Sequence, residues 1–376
     1  MKAIEIAKEL IKFDTSGPPT KEKPCAEWIQ VYLDDLGFET HLQVVEPGRA
    51  NIIAKIGEGT KPGLVLSGHI DVVLAGDPAL WKVSGPFEPL IKDGRLYGRG
   101  ACDMKGPDAC IIKAAEDLIH EDFNKQLTLV FTAGEDTGGW FVDRVLSDKL
   151  VTPKDAMFGV IGEPSLMEII PSHKGSGGAE IVIHGQAAHS SRPELGINAI
   201  QKAADFLYEL RKLQKRLDQN KHPLLGPTTV ECTIMKGGFK SNIIPDQAHL
   251  NLNFRLIPGH ENPETSKKWL MDIINRLSEN DPEFKAEILR NSASEPLDVS
   301  LDSQVVSLLK DILGTEPVGA PYYTEAVSYT KSGIPTVICG PGSIDQAHKP
   351  DEYISLEQID LGVETVSYTH LRAHET

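Results

Sequence analysis

Four short apolar runs in this 376-residue chain each lead into residues that carry charge or bind metals. "LVLSGHID" closes on His69 and Asp71, "LTLVFTAGED" on Glu135 and Asp136, and "FGVIGEPS" on Glu163. "TVICGPGSIDQAHKPDEY" reaches His348 a loop later. Runs this short and this continuously apolar read as strands buried on both faces, the habit of parallel sheets. "NIIAKI" adds another strand. Helices are expected between the strands, over 104–121 ("MKGPDACIIKAAEDLIHE") and from about Trp140. The alternation predicts an α/β fold, a mostly parallel sheet with helices on both faces. In open sheets of this kind the carboxyl ends of the strands form the ligand crevice. Polar residues placed there converge although they are far apart in sequence.

After Pro171 the texture changes. "GAEIVIHGQ", "TTVECTIMKGG" and "AHLNLNFRLIPG" are longer, and several alternate apolar with polar residues, as a sheet with one wet face does. Helical stretches lie among them at Ile197–Leu217 and Pro263–Asn280. The reading is a discontinuous α/β domain, residues 1–174 and 294–376, interrupted by an inserted α+β domain at 175–293. The end, "VSYTHLRAHET" (366–376), shows no clear apolar stripe and is expected to be a disordered or foreign tail.

Composition narrows the function classes. Lys+Arg is 38 and Asp+Glu is 54, a net charge of −16, which disfavours nucleic acid and anionic membranes as partners. The five cysteines (25, 102, 110, 232 and 339) form no C-x-x-C pair, which fits a reducing compartment. "MKAIEIAKELIKF" has helical spacing with charges between, not the apolar core of a signal peptide, and no run has transmembrane length. A cytoplasmic location is expected.

Carboxylates brought close repel and are costly to desolvate unless a cation neutralises them. Two histidines with several carboxylates suit a zinc- or cobalt-like hydrolytic centre rather than a closed structural site. Five ligands exceed one tetrahedral ion. Two ions about 3.5–4 Å apart and sharing a carboxylate fit the count better. Asp103, in "GRGACDMKG", is the candidate bridge. Each fragment alone has an ordinary reading: a capping histidine, a helix N-cap at Asp103, a turn at "GEPS", solvated loop acids at 135 and 136. Their joint placement at strand ends favours the metal reading.

Together, "SGHIDVV", "YGRGACDMKG", "GEDTGG", "GEPS" and "AHKPDEY" resemble, in order, the M20 family of metallohydrolases. That family includes acetylornithine deacetylases, succinyl-diaminopimelate desuccinylases, aminoacylases and carboxypeptidases. The resemblance implies a catalytic domain holding two zinc ions, with cobalt as a substitute, and an inserted lid domain that also forms a homodimer. It implies His69 and Glu163 on one ion, Asp136 and His348 on the other, and Asp103 bridging, with a cis peptide after it. Asp71 would orient His69, and Glu135 would be the general base. The family commonly has Glu-Glu where this chain has Glu135-Asp136. "SHKGSGGAEIVIHGQAAHSSRPELGINAI", "YYTEA" and "GPGSIDQAHKPDEY" resemble the acetylornithine deacetylase branch. There the resemblance implies an oxyanion donor at His189, substrate contacts at Asn242 and Arg255, and pocket residues Thr324 and Glu325. The expected reaction is hydrolysis of an N-acyl amino acid. Alternatives are a desuccinylase, a dipeptidase or carboxypeptidase, and a ligand-binding protein without turnover. "GPGSI" lacks the G-x-S-x-G spacing of a serine nucleophile, and no G-x-G-x-x-G marks a dinucleotide site.

Overall fold

The computed structural model describes residues 1–57, 62–119 and 125–375. The chain divides into two compact units. The first is Met1–Pro171, Val299–Val318 and Thr324–Thr376; the second is Ser172–Asp298 and Gly319–Tyr323.

In the first unit a six-stranded sheet is built from β1 (Glu39–Glu46), β2 (Arg49–Ile56), β3 (Gly63–His69), β6 (Leu127–Thr132), β7 (Ala156–Pro164) and β19 (Thr336–Gly340). Their order is β1-β2-β6-β3-β7-β19. β3 runs parallel to β6 and β7, and β7 parallel to β19, whereas β1 and β2 join antiparallel at one edge. All residues of β3 and β6 are buried, as strands covered from both sides must be. The helices are α1 (Ala3–Ile11), α2 (Lys23–Asp35), α3 (Lys105–Leu118), α4 (Val142–Ser147), α7 (Gln304–Leu313), α8 (Ala326–Lys331) and α9 (Leu356–Glu375). α1 buries Ala3, Ile6, Ala7, Leu10 and Ile11, one stripe at helical spacing. α3 lies so close to β3 that a Cβ on Gly68 would sit 2.0 Å from Asp108 Oδ1, so "SGH" needs its glycine. Of the helix expected over 104–121, residues 120 and 121 lie outside the described residues.

A second small sheet matters for the site. β4 (Leu90–Lys92) pairs with β5 (Arg95–Tyr97), which pairs with β20 (Tyr353–Ser355). It sets the early "YGRGACD" beside the late "HKPDEY", about 250 residues on.

The second unit contains β8 (Ser172–His173), β9 (Gly175–His184), β10 (Ala188–His189), β11 (Lys221–His222), β12 (Gly226–Pro227), β13 (Thr229–Gly237), β14 (Ile243–Ile244), β15 (Gln247–Leu256), β16 (Lys285–Ala293), β17 (Leu297–Asp298) and β18 (Gly319–Ala320). Its main sheet is antiparallel in the order β13-β15-β9-β16. β15 alternates: Ala248, Leu250, Leu252, Phe254 and Leu256 join the core with residues of α5 (Ala199–Leu217) and α6 (Pro263–Asn280). Asn198 caps α5, its side chain accepting from the Ile200 N–H at 3.0 Å, which starts the helix two residues later than the periodicity suggests. β18 pairs parallel with β8 and so draws residues 319–323 into this unit.

The expected tail is not seen through Arg372. α9 continues to Glu375, and Val366, Thr369 and His370 are buried. Its inner face is Ile359, Gly362, Thr365, Val366, Thr369 and His370, helically spaced but poor in apolar side chains. A hydrophobic pattern cannot report such a face. Thr376 lies outside the described residues. Among the described residues no helix is long and apolar enough to cross a membrane.

Candidate metal centre

His69 ends β3, and its parallel neighbours carry the next groups. Glu163 lies near the end of β7, while Glu135 and Asp136 follow β6 in the loop after Thr132. Asp103 precedes α3, whose cap residue is Met104 with no side-chain cap bond, so the Asp103 carboxylate is not spent on capping. The Asp103–Met104 peptide is cis. Asp103 Oδ1 lies 3.1 Å from His69 Nε2, and Asp103 Oδ2 lies 3.1 Å from His348 Nε2. His69 Nε2 is also 3.5 Å from Glu163 Oε1, and His348 Nε2 is 3.1 Å from Asp136 Oδ1. The distances thus form two sets, His69 with Glu163 and His348 with Asp136, joined through the two oxygens of Asp103. Glu135 also falls in a group with His69 and Glu163 whose ligand atoms lie within 4.8 Å of one another.

His69 Nδ1 donates to the Asp71 carbonyl oxygen at 2.9 Å, which turns Nε2 toward the cluster. The Asp71 carboxylate is more distant from that ring, at 3.6 Å. It instead accepts from the N–H groups of Glu135 (3.1 Å), Asp136 (2.9 Å) and Thr137 (2.8 Å) and from the Thr137 hydroxyl (2.8 Å). Asn51 ties the two ends of the same loop, accepting from the Ala133 N–H at 2.9 Å and donating to the Phe141 carbonyl at 3.0 Å. Arg49, paired with buried Glu22, donates to the Gly138 carbonyl and the Thr137 hydroxyl. Sequence reasoning missed Asn51 and Arg49, because a side chain that holds backbone leaves no period or motif.

The charges are unbalanced without a cation. Burial and then the neighbouring acids push Glu135 and Glu163 well above the usual carboxylate range, and burial with Asp103 raises Asp136. Burial opposes charge on Asp103 too, but His348 and His69 hold it far below that range. Burial disfavours the charged His69 ring, yet Asp103, Glu163, Asp136 and Asp71 raise it well above normal. Asp136 Oδ2 is buried with no hydrogen-bond partner. An orphaned carboxylate oxygen among acids that repel one another, facing two imidazole nitrogens, is a donor set that fits divalent cations.

The remaining residues named from the sequence fall in two places. His189, on β10, is exposed, its Nδ1 2.8 Å from Ser191 Oγ, and the Ser190 N–H donates to the Asn242 carbonyl at 3.0 Å. These residues and Arg255, on β15, belong to the second unit. Thr324 and Glu325 lie before α8 in the first unit and are buried; Glu325 Oε2 accepts from the Thr132 hydroxyl at 2.7 Å.

Comparison with known families places residues 65–372 within the model of the peptidase family M20/M25/M40. The chain belongs to that family. Relatives of this M20 chain include the acetylornithine deacetylase of Proteus mirabilis, 33% identical over 88% of this chain and 84% of the relative. The enzyme of the same name from Pectobacterium carotovorum is 34% identical over 89% and 87%. Among solved structures, a Staphylococcus aureus tripeptidase superposes with a TM-score of 0.79 at 20% identity, covering 100% of this chain and 98% of that one. A dinuclear metal-binding M20 peptidase from Bacillus subtilis superposes at 0.70 and 18% identity, covering 100% and 98%. At such identities these two share the M20 fold with this chain.

Proposed function

We propose that this M20 chain hydrolyses the amide bond of an N-acyl amino acid, as a metal-dependent deacetylase of the acetylornithine type. The observation that carries the reading is the pair of histidine–carboxylate sets joined through the two oxygens of Asp103, with Glu135 beside them. The relatives named acetylornithine deacetylase supply the substrate class. His69, Glu163, Asp103, Asp136 and His348 would hold two ions, zinc or cobalt by the nature of the donors. Such ions, when bound, acidify a water toward neutral pH and polarise the acyl carbonyl. Glu135 takes the proton of the attacking water and passes it to the leaving amine. His189 donates to the developing oxyanion, an interaction worth about 2.7–4 kcal/mol for one good donor.

Arg255 is the proposed clamp for the substrate carboxylate, a role its planar fork suits, with Asn242 as a further substrate contact. Lys174 lies close to it: burial and then the Arg255 charge hold the Lys174 ammonium below its ordinary range. The Lys174 ammonium itself donates to the Pro227 carbonyl at 2.6 Å. Thr324 and Glu325 are proposed as substrate contacts of the first unit. Glu325 Oε1 is buried without a partner, an acceptor that a substrate ammonium would satisfy.

We further propose a homodimer through the second unit. β13 has one sheet neighbour, β15, and bears exposed Ile234 and Met235; Phe239, just beyond it, is 81% exposed. An edge strand with exposed apolar residues such as these is covered by pairing with a second copy.

The test of the reaction is hydrolysis of N-acetylornithine against N-succinyl-diaminopimelate and a dipeptide, with metal content measured on the same sample. Preference for the acetyl substrate is expected, and Glu135→Ala should abolish turnover with both metals retained. Substantial activity in Glu135→Ala, or preference for the dipeptide, would overturn the assignment.

A further inference from the structure

We propose that Glu352, held by Arg99, is a positioning residue for the Asp103 carboxylate; this rests on reading Asp103 as the ligand shared by two ions. The placement begins with the small sheet. Tyr353 of β20 pairs with Tyr97 of β5, and the Gly98 N–H donates to the Glu352 carbonyl at 3.0 Å. This register brings the Glu352 side chain against the turn that carries Asp103. Its Oε1 accepts from the backbone N–H of Cys102 at 2.8 Å and of Asp103 at 3.0 Å. Its Oε2 accepts from Arg99 Nη1 at 2.6 Å. Glu352 is 1% exposed and Arg99 2%. The Arg99 guanidinium lies 5.3 Å from the Trp81 ring centroid and is further fixed by the Leu74 carbonyl.

A buried ion pair is weak evidence for stability, since apolar residues of similar volume often serve as well. An apolar pair, however, cannot accept two backbone N–H groups. Those two belong to Asp103 and the residue before it, and Asp103 must aim its two oxygens at different histidines. Glu352 is also only four residues from His348. The segment that supplies one ligand to the second ion therefore fixes the backbone of the ligand shared by both. Asp71 stands in the same relation to His69: two residues after a histidine, it holds the turn of Glu135 and Asp136.

The experiment compares wild type, Glu352→Leu and the double variant Arg99→Met/Glu352→Leu, neither of which can accept the two N–H groups and the last of which leaves no unpaired buried cation. Each is stripped with a chelator and titrated with zinc or cobalt, with affinity, stoichiometry, the cobalt absorption spectrum and melting temperature recorded. Metal affinity should fall about 10–100-fold in both variants, with a changed cobalt spectrum. On the cobalt-loaded enzyme kcat should fall more than KM rises. If both variants bind two ions with wild-type affinity and spectrum and lose only melting temperature, the pair is structural and the proposal fails. Asp103→Asn serves as the control. Should it bind two ions as wild type does, the ligand reading of Asp103 is wrong, and the proposal falls with it.

Discussion

The carboxylate of Asp71 spends its oxygens on the backbone of residues 135–137 more than on the His69 ring. That explains how two adjacent acids do different work: with their N–H groups pinned, Glu135 turns toward His69 and Glu163 while Asp136 meets His348. Asn at position 71 offers one acceptor oxygen, and its amide group would face N–H donors. Asp71→Asn should therefore lower kcat/KM by about 10–100-fold, the usual cost of losing such support. Steady-state kinetics with metal content on the same sample checks it, and unchanged kcat/KM would refute the role. Glu325 allows a prediction in pH. Burial raises its carboxyl from an ordinary 4.5 to about 8, against the opposing Thr132 hydroxyl and His69. A carboxyl whose folded value is raised contributes stability in full below its ordinary value, and that contribution is lost as pH rises through about 8. Glu325→Gln cannot ionise. Urea unfolding of chelator-stripped protein should find the variant more stable than wild type at pH 8.5, by on the order of a few kcal/mol, and the advantage should vanish near pH 4.

At the level of elements, what pattern encodes was legible and what it does not was hidden. β3, β6 and β7 announce themselves because strands covered on both faces are continuously apolar, and β15 because one wet face enforces alternation. Four of the proposed ligands were legible for the same reason, since His69, Asp136, Glu163 and His348 lie at or after the end of such a strand. Asp103 was legible instead from its place before α3. α9 hid its last turns because its inner face uses Gly362, Thr365, Thr369 and His370. β18 hid because two residues cannot show a period, and Asn51, Arg49 and Glu352 because their partners are backbone atoms distant in sequence. The packing of α9 can be tested by contrast. Val366→Ala should cost about 1–3 kcal/mol of unfolding free energy, whereas Tyr368→Ala, on the exposed face, should cost little. Equal effects would mean that the end of α9 does not pack. For β13, replacing Ile234 and Met235 with lysine places charge on the exposed apolar pair of this edge strand. Sedimentation should find the variant monomeric where wild type is dimeric, and an unchanged dimer would exclude this edge as the interface.

For the whole molecule, the decisive imbalance lies in where the charge sits. A net −16 spread over a surface is unremarkable, but half-buried Glu135 and Asp136 are gathered with buried Asp103 and Glu163 in one unit. In the metal-free chain the acids raised by burial and mutual repulsion hold protons that an ordinary carboxylate would have released. Their stabilising contribution is complete in the ordinary carboxylate range and below, and declines as pH rises through their raised values. His69 is likewise raised, by Asp103 and the other acids against burial, so it too is protonated where a free imidazole would not be. Both kinds of group must lose protons before they can bind a cation. The sign is therefore the same for acids and imidazole: metal affinity increases with pH, and binding releases protons. The stability gap between metal-loaded and stripped protein should widen from pH 5.5 to pH 8, reaching about 2.7 kcal/mol where free metal is a hundredfold above its Kd. Chelation should abolish turnover, and zinc or cobalt should restore it. Thermal unfolding of both forms across that range, with calorimetry in two buffers of different ionisation enthalpy to count protons, measures gap and release together. A gap independent of pH, with no protons released, would mean that the cluster is already ionised without metal and that repulsion among its acids is not what cations relieve.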